Sequence, residues 1–469
     1  MPTLAEPETT AYLSLRALQI EASSGKKPKI VAQMADWQYL ERSLHRLVTA
    51  WARHFTDWED KRAVCRHVWE QSECVRRLRE RLTEFPGTTS NLEAPVSGKL
   101  EALADAVLLA PSHEDAVDGV YQLLTGALVR SYLHYVEHAH PVHDAPTTAM
   151  LQEIVRIKEG QRLWLRDYRR RHPHTTDAAY RASVEAEMAA CGDIRDALPV
   201  EGQSARPVGV NTDFRLPSLA GRPVGSEPEH DFMPFIEADF TNSVEARRLF
   251  WCYGYLLEQN LADEQMRWLW DAPDLPWEFL QDVSRHLWDE SRHGDSGHSR
   301  LLDFGITVQD IGFGSYGTAA EEAPGVARPM SAEDLYEAVF FIGMCAETGH
   351  FPVKHEGYAD FKAGGDLESA EMMLFDIIDE TTHVQYAHRW LPLLAERAGR
   401  DTGEFKERGQ RERQRYQASA DARLAERKDL TRDPDDPDYA FYQKLLAIMR
   451  AKQPLSNAET CPPRSFKPM

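Results

Sequence analysis

Apolar residues recur along most of the chain at the three- and four-residue spacing of an amphipathic helix, and no stretch shows the two-residue alternation of a half-buried strand. Proline and glycine are sparse within these stretches and gathered between them, which marks where helices break. The pattern predicts four helices in the first half, from Trp37 to Phe55, Trp58 to Phe85, Glu114 to His138 and Thr147 to Arg171. Four such helices are enough for one bundle. A second set is predicted from Ser243 to Trp270, Trp277 to Phe304, Ala332 to about Lys362 and Leu367 to Ala398. Between the sets, the segment from about His172 to Asp239 carries PVEGQSARPVGVN and LAGRPVGSEPEH and reads as a connection, with at most a short helix near Asp177 to Cys191. From Arg400 the chain is highly charged and predicted helical to about Lys428, then turns through DLTRDPDDPDY into a last short helix and a proline-containing tail. The expected fold is all-α, with one bundle over residues 1–172, a linker over 173–239, a second bundle over 240–399 and a charged helical tail over 400–469.

At 469 residues the chain is long enough for two cores. No apolar run approaches the roughly eighteen residues a membrane helix needs, so a membrane is not an expected partner. The N-terminal MPTLAEPETTAYLSL is acidic and lacks the pattern of a secretory signal, which makes the cytoplasm the default expectation. Six scattered cysteines with no C-x-x-C pair argue against a disulfide framework or a thiolate zinc site. A formal net charge of −21 repels phosphate backbones, so nucleic acid is not expected either.

The two halves read as copies of each other. Sliding the first by 219 positions aligns Trp58-Glu59 with Trp277-Glu278, Val64 with Val283, Arg66-His67 with Arg285-His286, Trp69 with Trp288 and Ser72 with Ser291, seven identities in fifteen positions. Ordinary composition would supply about one. The same offset lays Ser112-x-Glu-Asp on Ser331-x-Glu-Asp, in each case a helix N-cap followed by acids in the first turn.

A Glu-x-x-His pair puts a carboxylate and an imidazole on one face of a helix, where both reach the same cation. The chain has five such pairs, at Glu137/His140, Glu227/His230, Glu290/His293, Glu347/His350 and Glu380/His383. One or two would arise by chance, so the information lies in their arrangement. Three fall on successive predicted helices of the second half, and the first helix there adds Glu258, with Asp263 and Glu264 as neighbours that a register error would substitute for it. Glu258 to Glu290 spans 32 residues and Glu347 to Glu380 spans 33, which brings the four levels together in antiparallel hairpins.

One Glu from each of two helices plus Glu-x-x-His from two others resembles the ligand set of the ferritin-like di-iron carboxylate superfamily. The resemblance implies two tandem ferritin-like four-helix bundles of which the C-terminal one binds metal through Glu258, Glu290, His293, Glu347, Glu380 and His383. Members with N-oxygenating activity use an additional histidine, a role open to His350, whose alternative is a hydrogen bond to a ligand carboxylate. It further implies two iron ions, with manganese as the alternative, dioxygen as co-substrate, a small organic substrate in a biosynthetic setting, and an external electron donor. Hydroxylation and N-oxygenation both stay open. So do a ferroxidase and a non-catalytic helical scaffold, and a homodimer is the default assembly.

The first half lacks this set. Gln71 and Cys74 align with Glu290 and His293, Leu128 and Ser131 with Glu347 and His350, and, after a two-residue shift, Glu159 and Arg162 with Glu380 and His383; Glu41 corresponds to Glu258. This predicts a degenerate copy without metal. His67 and His286, present in both copies, are assigned to packing. Tyr255, Trp288, Phe340, Phe341, Phe351 and Tyr386 are expected to shape an apolar pocket, and Pro352 is expected to kink its helix.

Overall fold

The computed structural model describes residues 29–200, 204–221, 230–311, 327–427 and 430–452. Glu227, Cys461 and the predicted proline-containing tail lie outside them. The described residues are overwhelmingly helical and include no strand. None of their helices is long and apolar enough to cross a membrane. They divide into two compact units, one drawn from Met1–His54 and Arg66–Leu216, the other from Phe55–Cys65 and Pro217–Met469.

The first unit is built on α1 (Lys29–Ala52), most of α2 (Trp58–Thr83), α3 (Gly98–Leu108), α4 (Thr125–His138), α5 (Ala145–Arg171) and α6 (Ala178–Ala190). Helix α3 is absent from the expected set although its signal is present: behind the Ser97 cap, the buried Leu100, Leu103, Ala104, Val107 and Leu108 recur at helical spacing over only eleven residues. A π-helical stretch, Asp118–Leu124, leads into α4. Over the segment expected to be a connection, α6 packs inward, and its Tyr180 hydroxyl donates to the Val107 carbonyl at 2.9 Å. Trp37, Leu40, Leu44 and Leu47 of α1 are fully buried, and the Trp37 indole N–H donates to Ser131 Oγ at 2.9 Å.

The middle of this unit is polar. The Lys158 ammonium, fully buried, pairs with the equally buried Glu41 and donates to Gln71. The Tyr132 hydroxyl donates to Glu41 at 2.7 Å, and Gln71 donates to Gln161 at 3.0 Å. A buried charge is tolerated only when paired and hydrogen-bonded, a condition this network meets. The inward positions of α5 are therefore Lys158 and Gln161. Glu159 and Arg162, which the sequence alignment set opposite Glu380 and His383, pair with each other at 2.7 Å on the surface.

The second unit contains α7 (Val244–Asp271), α8 (Trp277–Asp303), α9 (Ala332–Phe340), α10 (Glu347–Ala363), α11 (Leu367–Arg397), α12 (Phe405–Arg427) and α13 (Pro437–Lys452). Ser243 caps α7 by accepting from the Ala246 N–H, and Ser331 with Asp334 forms a capping box on α9. Helices α9 and α10 are continuous through a π-helical stretch, Phe341–Ala346, and α10 runs on through Pro352. Helices α7 and α8 approach closely at Gly297, where a Cβ would stand 2.4 Å from the Cys252 carbonyl oxygen and 2.6 Å from the Leu256 nitrogen. This contact needs glycine, and it holds Glu258 of α7 opposite His293 of α8. An apolar cluster including Phe232, Leu249, Leu256, Leu301, Phe304 and Tyr442 anchors α7, α8 and α13.

Candidate metal centre

Two helices supply donors at the same spacing. On α8, His286, Glu290 and His293 stand at i, i+4 and i+7, and on α11 Asp376, Glu380 and His383 repeat the interval. Each triplet lies on one face. Glu258 from α7 and Glu347 from the first turn of α10 complete the cluster. Glu347 follows directly on the π-helical stretch Phe341–Ala346, a feature frequent at functional sites, and it faces His286 of α8 and His383 of α11.

His286, Glu290, Glu347 and His383, all buried, each offer a donor atom within 4.8 Å of every other. The His286 Nε2 lies 2.9 Å from both the Glu290 and the Glu347 carboxylate, and the His383 Nδ1 lies 3.4 Å from Glu347. The two imidazoles stack at 3.6 Å. Glu258, Glu290 and His293 form a second set, with His293 Nδ1 3.0 Å from Glu258. Glu258, Asp376 and Glu380 form a third, and the Lys354 ammonium stands among them, 2.7 Å from Asp376 and ion-paired to Glu380.

The outer partners are as ordered as the donors. His293 Nε2 lies 3.2 Å from Asp379 of α11, and His383 Nε2 lies 3.3 Å from Asp289 of α8. Each imidazole is thus gripped from behind by the aspartate that precedes the glutamate on the facing helix. Arg292 ties the two aspartates together, and Arg285 donates to Asp289 at 2.9 Å. In front, Glu258 Oε2, His293 Nδ1, both Glu347 oxygens, Glu380 Oε2 and His383 Nδ1 are buried without a well-directed hydrogen bond, although close contacts bring His293 to Glu258 at 3.0 Å and His286 to Glu347 at 2.9 Å. Buried groups left in this state are costly, and all six are of metal-donor type. The residues therefore fit a group of divalent cations.

The electrostatics agree. Burial pushes Glu258 up to about 7 against the pull of Lys354, and it raises Glu380 well above the usual carboxylate range. At Glu290 burial is outweighed by His286 and His293, and at Glu347 by His286 and His383, which hold Glu347 down to about 2. Burial would lower the His286 imidazole, but Glu347 and Glu290 carry it up to about 10. His293 rises in the same way beside Asp376 and Asp379. Without metal, protons act as the cluster's counter-ions, so metal binding here releases them.

Six expected ligands, Glu258, Glu290, His293, Glu347, Glu380 and His383, converge in this cluster. His350 does not: three residues along the same helix from Glu347, its ring faces Tyr416 at 6.4 Å. Burial and Lys354 press its pKa down to about 4. His286, assigned to packing from the sequence, stands instead among the donors. Asp263 pairs with Lys61 at 3.1 Å and Glu264 with Arg267 at 3.4 Å, which leaves Glu258 as the α7 donor. Asp289, Asp379, Asp376 and Lys354 went unassigned. The legible signal for the first two was an aspartate directly before each glutamate, in Asp289-Glu290-x-x-His293 and Asp379-Glu380-x-x-His383.

A small apolar cleft ends on His286 and His383, lined by Trp268, Phe279, Val339, Ile342, Tyr386 and Trp390 among others. Of the six aromatics expected to form a pocket, Tyr386 lines it; Tyr255 donates to Asp376 at 2.8 Å, and Phe341 is 46% exposed. Gly343 also borders the cleft, and a Cβ there would stand 2.2 Å from that of Ala387. No protein-family profile matches the chain, and no curated protein or solved structure matches it significantly.

Proposed function

We propose that the second unit is a ferritin-like bundle holding two divalent metal ions, iron before manganese, and that it activates dioxygen to oxidise a small organic substrate. One observation carries the reading: two buried imidazoles, each gripped through Nε2 by an aspartate, turn Nδ1 toward buried carboxylates with which neither makes a well-directed hydrogen bond. Such outer carboxylates fix a ligand's tautomer and raise its basicity, a service of little use to a network without an ion. Glu290, common to two donor sets, would be shared by the ions, with Glu258 and His293 on one side and His286, Glu347 and His383 on the other. Bound metal would supply the redox chemistry on dioxygen.

The chain's own residues do the rest. Asp289 and Asp379 orient the imidazoles, the Tyr255 hydroxyl orients Asp376, and the buried helix faces exclude water from the carboxylates. The cleft beside His286 and His383 is apolar but holds no more than about one water, so it marks an approach to the cluster and not a formed substrate pocket. The preference for an oxygenase or oxidase over a protein whose substrate is iron itself rests on the resemblance of the ligand set. A tandem pair of related bundles belongs to the same proposal: the π-helical stretches Asp118–Leu124 and Phe341–Ala346 overlap at the 219-residue offset. A metal-free scaffold is the competing reading, and the Lys354 ammonium among Asp376 and Glu380 is what speaks for it.

Oxygen consumption by iron-loaded protein, with and without a panel of aromatic acids and amines, tests the proposal. Uptake that depends on an organic compound supports it. Uptake equal to that with iron alone indicates a ferroxidase, and failure to retain iron indicates a scaffold.

A further inference from the structure

We infer that Lys354 makes the two metal positions unequal, so that they fill in sequence. The first ion goes to His286, Glu290, Glu347 and His383, and an ion beside Glu258 and His293 binds more weakly because a fixed ammonium already holds the acids it needs. The inference rests on the metal reading above and deepens it.

Lys354 is 2% exposed. Its Nζ stands 2.7 and 2.9 Å from the two Asp376 oxygens, is ion-paired to Glu380, and lies 3.9 Å from Glu258 and 5.5 Å from the centre of the Tyr255 ring. Three of the cluster's five carboxylates are thereby committed, wholly or partly, to one positive charge. The set at His286 has four donors and no ammonium in it; the set at His293 has three, and the acids that would raise its count are Asp376 and Glu380. A divalent ion there faces a like charge at short range in a buried site, where such repulsion is only weakly screened. The ion must either share Glu380 with the ammonium or displace it.

The first unit shows the limit of the same device. Where Gln71 stands in place of Glu290, the buried Lys158 ammonium pairs with Glu41, and a side-chain cation alone neutralises the surviving acid.

Anaerobic titration of the metal-free full-length protein with Co²⁺, followed by calorimetry and visible absorption, tests this without any activity measurement. Wild type should take up two ions, the second at least about tenfold more weakly than the first, a ratio worth about 1.4 kcal/mol. Lys354→Met should tighten the second step until the gap closes to less than about threefold, and Lys354→Arg should preserve the gap. His286→Ala should weaken the first step. If Lys354→Met does not fold by circular dichroism, Lys354→Gln, which keeps a donor for Asp376 without the charge, is read in its place. Two equal sites in wild type, or a gap unchanged on removing the ammonium, would overturn the inference and leave the metal reading standing. No binding by any of these proteins would overturn both.

Discussion

Asp289→Asn isolates the grip on an imidazole from the imidazole itself. Asp289 is 1% exposed, and its carboxylate lies 3.3 Å from His383 Nε2 while also accepting from Arg285 and pairing with Arg292. The amide keeps the volume and one acceptor oxygen but removes the negative charge that fixes which nitrogen of His383 faces the cluster. Loss of such an outer carboxylate weakens metal binding by roughly 10- to 100-fold, or about 1.4 to 2.8 kcal/mol. The assay is competition for Co²⁺ or Zn²⁺ against a chromophoric chelator at 25 °C, on protein shown to be folded. The substitution also unbalances Arg285 and Arg292, so metal-free stability is measured separately by urea unfolding and kept out of the affinity comparison. Asp282→Asn serves as control, because Asp282 accepts from the Trp390 indole at 2.7 Å and from Arg389 but makes no contact with a candidate ligand. Affinity of Asp289→Asn within about twofold of wild type would refute the orienting role, however convincing the geometry.

Other expectations are sharp enough to check. His350→Ala should leave metal stoichiometry and affinity unchanged, as read by elemental analysis and titration. Lys158→Met leaves Glu41 buried without its cation and should destabilise the first unit by about 3 to 5 kcal/mol in urea unfolding, with no change in metal content. Gly343→Ala forces a methyl onto Ala387 and should cost about 1 to 3 kcal/mol in urea unfolding. Burial raises Asp36 from 3.8 to about 7 against the pull of the Leu198 N–H. Because the folded state then holds a proton that the unfolded chain has lost, stability falls as pH rises from about 4 to about 7, by on the order of 4 kcal/mol. Asp36→Asn should accordingly be more stable than wild type at pH 8 and no more stable at pH 4; an equal difference at both would contradict this assignment.

The helices were legible because proline, glycine and capping residues punctuate the chain, and because a helix with one apolar face repeats visibly. The donors were legible for a related reason: Glu-x-x-His at matched intervals on antiparallel helices is improbable without a shared target. Other parts depended on information that spacing does not carry. His286 and His67 align at the 219-residue offset, yet His67 Nδ1 lies 2.9 Å from the Tyr121 hydroxyl, whereas His286 meets two carboxylates. The partner on the next helix decides what the same residue does. Lys354 follows Glu347 by seven residues on one face of α10, so the interval was present, but a lysine on an interior face looks like an error until the acids opposite it are known. The sequence left His350 open between a ligand and a hydrogen-bond partner of one, and the structure groups it with none of the donor sets, because three residues along a regular helix turn its ring toward Tyr416. Glu159, set opposite Glu380 by the sequence alignment, pairs with Arg162 on the surface, while its neighbour Lys158 is the inward residue.

The central claim is that carboxylates and imidazoles of the second unit jointly enclose a pair of cations. Anaerobic loading with excess ⁵⁷Fe²⁺, removal of unbound iron under gentle conditions and Mössbauer spectroscopy after exposure to oxygen test it most directly. The account predicts up to two irons per chain, spin-coupled after oxidation, with coupling lost in Glu290→Ala and retained in Gln71→Ala. Iron retained at the same level and in the same uncoupled form by wild type and Glu290→Ala would contradict it.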